Sequence, residues 1–429
     1  MIDAAVILIL IVTLLIVAII VTKDNKDKRL FQPRTVFILF ALIYFYAIPV
    51  ELWLIGSNTY QKGENIVTLS DYNILVVMTL SLLSIVSFII GMRLGGENRI
   101  LKKDQTFFYK FEDKNLSKII ALLSLGYILF IFIYVEQFIL TFLSYELVAG
   151  VHFNNPLFTL IQYSMLFCFA FMSTRLYLMK RYVLFVIIIL IPIIYGILSS
   201  DKNPILMGVL TTVYCISRNK SYKLSHGILS FIFVFVALIL VRAFSIWRAD
   251  INFIKALVES MSDFSFTKID PAGAFISINY YLNMDNHGYG ITFYENIEQL
   301  IPRIINENRS YNIAEKFAQE QISNWMPGLG LGFSPMAEAV YNFSMLAPVY
   351  FTIIGIYWGL FWRVIKKIWH VILPKNHFEF FYIIIGCYFI ALSFRGSSLN
   401  FFKIMPMYVI SLMIILYVFK IVTKKWSLK

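Results

Sequence analysis

Hydrophobic residues run through most of this chain in long blocks, and polar residues gather in the gaps between them. Eleven blocks read as membrane-spanning helices, at roughly 2–22, 35–55, 72–92, 116–138, 157–177, 182–199, 204–217, 226–244, 346–364, 378–394 and 400–420, the seventh being short for a span. One stretch breaks the pattern. Residues 245–345 are hydrophilic yet periodic: INFIKALVESM, ITFYENIEQLIPRII and NIAEKFAQEQISNW each carry apolar residues three and four apart. That spacing predicts amphipathic helices, lying against the membrane surface or against one another. The expected fold is therefore all-α, a polytopic membrane protein with about eleven transmembrane helices, organised as a single domain over 1–429 with a large helical loop inserted at 245–345.

Composition agrees with the pattern. Hydrophobic residues make up 59% of the 429 and charged residues 14%, against about 25% charged in an ordinary soluble domain. The first block lacks a basic start and a small-residue cleavage site, so it reads as an anchor rather than a removed signal peptide. Cys168, Cys215 and Cys387 lie inside apolar blocks without paired spacing, which points to neither a disulfide framework nor a zinc site.

The net charge of +12 is a topology signal, with no indication of nucleic acid. KDNKDKRLFQPR, the run from Arg93 to Lys114, the pair Lys180 and Arg181, RNKSYK, RVIKK and the tail KKWSLK alternate with loops that are not basic. Of the 37 Lys and Arg residues, 26 fall on that side, together with only 7 of the 25 acidic ones. The basic side is expected to be cytoplasmic. The long segment then faces outward, with the loops near 56–71, 139–156, 199–203 and 395–399.

On the outer face four cations follow apolar blocks: Lys202 in SSDKNP, Arg242 and Arg248 in VRAFSIWRAD, and Arg395 in SFRGSS. A cation in that place either snorkels to the interface or meets an anion. Four on one face predict an anion site, and two guanidiniums from adjoining turns suit a phosphate group. Arg303 and Arg309 are further candidates on a helical, solvated face. Among the outer acids, Asp201, Asp250, Asp270 and Glu338 adjoin turns or span ends, and only Glu338 follows a glycine-rich approach. In WMPGLGLGFSPMAEAVYNF the glycines Gly328, Gly330 and Gly332 alternate, Pro335 opens a helix, and Glu338 comes one turn later. Its other reading is an acid that complements the helix N-terminus. His287 in DNHGYG and His152 are isolated, as structural histidines often are. The chain has no GxxxxGK[ST], GxGxxG after a strand, HExxH or GxSxG, and no close pair of aspartates to hold a metal with a nucleotide sugar. A transferase built this way takes its donor already attached to a membrane lipid.

The layout of spans, the late outer segment, and the stretches GLGLGFSPMAEAVYNF, SSDKNP and VRAF resemble the Wzy family of oligosaccharide repeat-unit polymerases, relatives of the O-antigen ligases. Members carry a glycine-rich approach, a Glu, an aromatic residue and Asn-Phe-Gly; Glu338, Tyr341, Asn342 and Phe343 match, and Ser344 stands in place of the glycine. The resemblance implies transfer of a growing glycan from undecaprenyl pyrophosphate to the sugar of another lipid-linked repeat unit, outside the bacterial plasma membrane, to make O-antigen or capsular polysaccharide. It further implies that Arg242, Arg248, Arg395 and Lys202 bind the pyrophosphate and that Glu338 acts on the acceptor hydroxyl. Tyr341, Asn342, Trp325 and His287 would contact the glycan. No cofactor or metal is implied, because side chains supply the cations; the partners implied are the lipid-linked oligosaccharide, membrane lipids and a chain-length regulator protein. Two other readings remain open: an O-antigen ligase type of transferase, and a flippase or other transporter of lipid-linked oligosaccharide. A transporter would show repeated halves and charges near the membrane midplane.

Overall fold

The computed structural model describes residues 2–26, 31–62, 65–97, 100, 114–133, 156–198, 202–219, 239, 242–243, 253–262, 264–301, 305–306, 309–323, 325, 332–373 and 375–426. Ten of the eleven apolar blocks are found there as helices: α1 (Ile2–Lys26), α2 (Pro33–Ile55), α3 (Asp71–Leu94), α4 (Lys114–Ile133), α5 (Pro156–Leu178), α6 (Tyr182–Leu198), α7 (Lys202–Asn219) and, after the hydrophilic segment, α13 (Ala347–Ile372), α14 (Lys375–Ser393) and α15, a π-turn at Asn400–Ile404 running into Met405–Trp426. The block at 226–244 lies outside the described residues apart from Ile239, Arg242 and Ala243. Five helical stretches are long and apolar enough to cross a membrane: Asp3–Ile20, Pro33–Ile55, Asp71–Leu94, Pro335–Ile372 and Asn400–Val422. Shorter apolar helices accompany them at Ser117–Ile133, Tyr182–Gly196, Asn203–Ser217 and His377–Ser393. The chain is a helical membrane protein, with one small hairpin, Thr59–Lys62 against Asn65–Thr68, among the described residues.

Between the two halves of the chain the hydrophilic segment folds into short helices: α8 (Phe253–Ser262), α9 (Asp270–Leu282), α10 (Ile291–Glu298), α11 (Ile313–Gln321) and α12 (Pro335–Phe343). Three match the periodic stretches of the sequence, although α10 stops short of Pro302. Both π-turns have a cause in the sequence. Pro49 cannot donate to Phe45 O, nor Pro406 to Phe402 O, and in each case the carbonyl left without its helical partner lies inside the widened turn, Leu42–Tyr46 and Asn400–Ile404.

The tightest packing joins α3 to α13. The two run in the same direction and touch through Gly91 and Gly95 on one, Gly355 and Gly359 on the other. A Cβ built at Gly91 would lie 2.4 Å from Thr352 O, and one at Gly355 would lie 2.5 Å from Phe88 O. Lipid tails give apolar helices no reason to pair, so in a membrane close backbone approach over small residues supplies the attraction instead.

An aromatic ladder sets the depth of what lies around this seam. The Phe351 ring sits 6.0 Å from both Phe37 and Phe45, and the Phe394 ring 5.1 Å from the same two, while Phe37 stacks on Phe88 at 3.8 Å. Phe45 and Phe37 lie 10 and 18 residues before the end of α2 at Ile55. At a rise of 1.5 Å per residue, Phe351 and Phe394 are thus held between about 15 and 27 Å below that end.

Helix α9 and the turn before it lie at the Ile55 end. Thr267 N donates to Glu51, Tyr60 OH to Ala272 O, and Asn73 Nδ2 to Asn283. At the opposite end Lys366 Nζ reaches Ile100 O and Lys420 Nζ reaches Ile372 O. Ile100, Lys366, Ile372 and Lys420, in or beside the basic stretches of the sequence, share that second end.

Candidate functional site around Glu338

Helix α12 begins as its sequence predicts. Ser334 caps it by accepting from Met336 N at 3.1 Å, Pro335 occupies the first turn, and Gly332 approaches with φ +92°. Gly328 and Gly330 lie outside the described residues. Glu338 stands in the first turn, where a carboxylate suits the helix dipole. Its side chain, however, turns away from its own helix. Fully buried, it accepts from Ser398 N at 2.6 Å, from the Ser398 hydroxyl at 2.5 Å and from the Tyr350 hydroxyl at 3.1 Å. A buried carboxylate needs several such donors to stay in an apolar setting.

Those donors come from two other elements. Tyr350 belongs to the first turn of α13. Ser398 lies on the loop between α14 and α15, which turns at once through Arg395 N to Leu392 O and Gly396 N to Ser393 O. A Cβ at Gly396 would come 2.7 Å from Asn400 Nδ2, so a side chain there would push the Asn400 amide aside. Arg395, exposed, is three residues from Ser398 on this loop and next to Phe394 of the ladder.

A second layer of polar groups encloses the carboxylate. Asn342, one turn after Glu338, donates to Thr292 Oγ1 at 2.6 Å and to Glu338 O at 3.0 Å. Asn296 Nδ2 donates to Ser398 Oγ at 2.5 Å, and Glu295 pairs with Lys316. At the end of α10 the carbonyl of Gln299 receives both Lys403 and Arg309, cations that suit a helix C-terminus. Thr292, Glu295, Asn296 and Gln299 thus form one polar face turned towards the site.

Tyr341 is tied in on the other side. Its carbonyl accepts from Gly288 N at 2.8 Å, its ring meets Tyr281 edge-on at 5.1 Å, and a Cβ at Gly288 would collide with it at 2.4 Å. Burial, then the negative charge of Glu320, hold the Tyr281 phenol well above its ordinary range. It is therefore a proton donor at any physiological pH. His287 adjoins Gly288, partly exposed, with no partner on Nδ1 among the described residues. Trp325 packs edge-on against Tyr311 at 5.6 Å.

Of the four expected cations, Arg395 is tied to the Glu338 group through Ser398. Arg242 is buried. Lys202 opens α7, its side chain being outside the described set, and Arg248 lies outside the described residues, as do Arg303, Asp201, Asp250 and His152. The sequence reading missed Ser398, Tyr350, Thr292 and Asn296. Hydroxyls and amides in loops are too common to single out. The α10 residues did carry a signal, four polar residues spaced 292, 295, 296 and 299 on one helical face. No known protein family, characterised protein or solved structure matches the chain.

Proposed function

We propose that the protein is a glycosyltransferase, a polymerase that joins undecaprenyl-pyrophosphate-linked oligosaccharide repeat units into O-antigen or capsular polysaccharide at the outer face of the bacterial plasma membrane. The observation that carries this reading is the Ser398 hydroxyl, which donates to Glu338 at 2.5 Å as an alcohol does to a general base. An acceptor sugar hydroxyl entering the site takes the place of that serine. Glu338 then removes its proton as the oxygen bonds to the anomeric carbon of the donor, and the bond from that carbon to the pyrophosphate breaks. The leaving pyrophosphate keeps the electron pair, and Arg395, with Arg242, Arg248 and Lys202, neutralises it. Tyr341, Asn342, Trp325 and His287 contact the glycan in this reading.

Arg395 supports it too. It adjoins Phe394, at the depth of the middle of α2, and stands three residues from Ser398, which places a cation near the base. The partners of this reading are the lipid-linked repeat unit, bilayer lipids and a chain-length regulator.

The glycan made by a strain lacking the chain tests the proposal. Single repeat units on the lipid carrier are expected, and Arg395→Ala should leave them in place while Arg395→Lys restores polymer in part, because a point charge replaces a fork of donors. Full-length polymer left on the carrier would mean a ligase instead, and repeat units trapped on the cytoplasmic face a flippase.

A further inference from the structure

Helix α10 is built inside out for a helix in water. Thr292 and Asn296 are 2% and 3% exposed, and Glu295 and Gln299 are buried with them. On the opposite face Tyr294 and Ile297 are each 62% exposed, Ile291 lies a turn before them, and Ile301 and Ile305 extend the stripe, Ile305 at 75%. The buried polar side makes sense from the site it encloses. The bare apolar side calls for a separate explanation.

Position supplies one. Phe293 stacks on Tyr350 at 5.6 Å and meets Phe402 edge-on at 5.7 Å, so α10 lies across the first turns of α13 and α15. Tyr350 precedes Phe351, the ring held between Phe37 and Phe45, about 15 to 27 Å below the end of α2. A hydrocarbon layer about 30 Å thick that covers α2 therefore reaches α10 as well. The exposed stripe is also continuous in character with its neighbours: Leu346, Val349 and Ile353 on the approach to and along α13, and Met407, Ile410 and Ile414 on α15, are exposed apolar residues of spans. Two cations, Arg309 and Lys403, cover the Gln299 carbonyl at the C-terminal end of α10, as helix ends inside a membrane require.

From this we infer that α10, with Ile301 and Ile305 beyond it, is embedded in the bilayer, with acyl chains covering Ile291, Tyr294, Ile297, Ile301 and Ile305, and that α10 alone separates the Glu338 site from lipid on that side. The partner is the hydrocarbon of the membrane. Neither a second copy of the chain nor a soluble protein is needed to cover this face. The inference goes beyond the proposed reaction and does not rest on it, since it concerns what touches the helix.

Spin labels at single cysteines test it, in vesicles of phosphatidylethanolamine and phosphatidylglycerol. Labels at Tyr294→Cys, Ile297→Cys and Ile301→Cys should collide with dissolved oxygen and be shielded from a water-soluble nickel chelate, matching Ile410→Cys on the exposed face of α15. Asn286→Cys, in the exposed turn before α10, should show the reverse preference. Chelate access at 294, 297 and 301 would overturn the inference, and so would exclusion of both reagents, which would mean a protein cover. The unsubstituted protein gives a second reading free of any folding defect: a carbene-generating probe dissolved in the bilayer should modify residues 291–305, and failure to do so while modifying α13 and α15 would also overturn it.

Discussion

The three donors on Glu338 make two substitutions diverge. Glu338→Gln keeps the shape but loses a carboxylate oxygen, and the fixed Ser398 N–H must then face an amide that accepts at only one atom. If Glu338 takes the acceptor proton, turnover should fall roughly a hundredfold or more; if it only anchors Ser398 and Tyr350, about 1–3 kcal/mol of stability goes and turnover stays. Ser398→Ala should do the opposite. It strips one hydroxyl donor from a buried carboxylate, at about 1.5–3 kcal/mol, yet leaves turnover largely intact, because the acceptor hydroxyl occupies that position during reaction. Purified variants assayed with lipid-linked repeat units, and melted in parallel, separate the cases. At this scale Glu338 was legible, because glycines and a proline announced its helix. Ser398 was not, because nothing in SFRGSS says which of its residues the fold turns inward.

Single elements were the most legible part of the chain, and the way they pair the least. Apolar run length alone located ten helices, since a lipid-facing helix must be apolar over its whole length. The glycine spacings Gly91–Gly95 and Gly355–Gly359 stood in plain view, but a spacing names a face without naming its partner across more than 250 intervening residues. The seam makes a sharp expectation. Gly355→Ala places a methyl 2.5 Å from Phe88 O, a backbone atom that cannot rotate aside, so α3 and α13 must part. A loss of about 1–3 kcal/mol is expected, the usual scale of overpacking. Gly126→Ala on α4, whose Cβ meets only the end of Met165 at 3.4 Å, should be close to neutral. Melting temperatures of the two variants in one detergent make the comparison. For α10 the periodicity shows an amphipathic helix, against the membrane surface or against a neighbour, but spacing alone does not say that the polar face is the one the fold buries.

For the molecule as a whole, the alternation of basic loops and the place of Thr267 and α9 at the Ile55 end predict that the segment 245–345 lies on the outer side. A cysteine at Asn286 should react with a membrane-impermeant thiol reagent in intact spheroplasts, the native Cys168, Cys215 and Cys387 being buried. Reaction only after lysis would place the segment in the cytoplasm and remove the basis of the proposed reaction. The order of the chain adds a matter of timing. The two sides of the glycine seam are far apart in synthesis, Gly355 following Gly91 by 264 residues. At about 5–20 residues per second, the ribosome delivers α13 roughly 13 to 53 seconds after the glycine face of α3 has been made. For that interval α3 waits in the bilayer with its grooved side bare. A chain halted before Ala347 keeps that side bare, since the helix that covers it is never made.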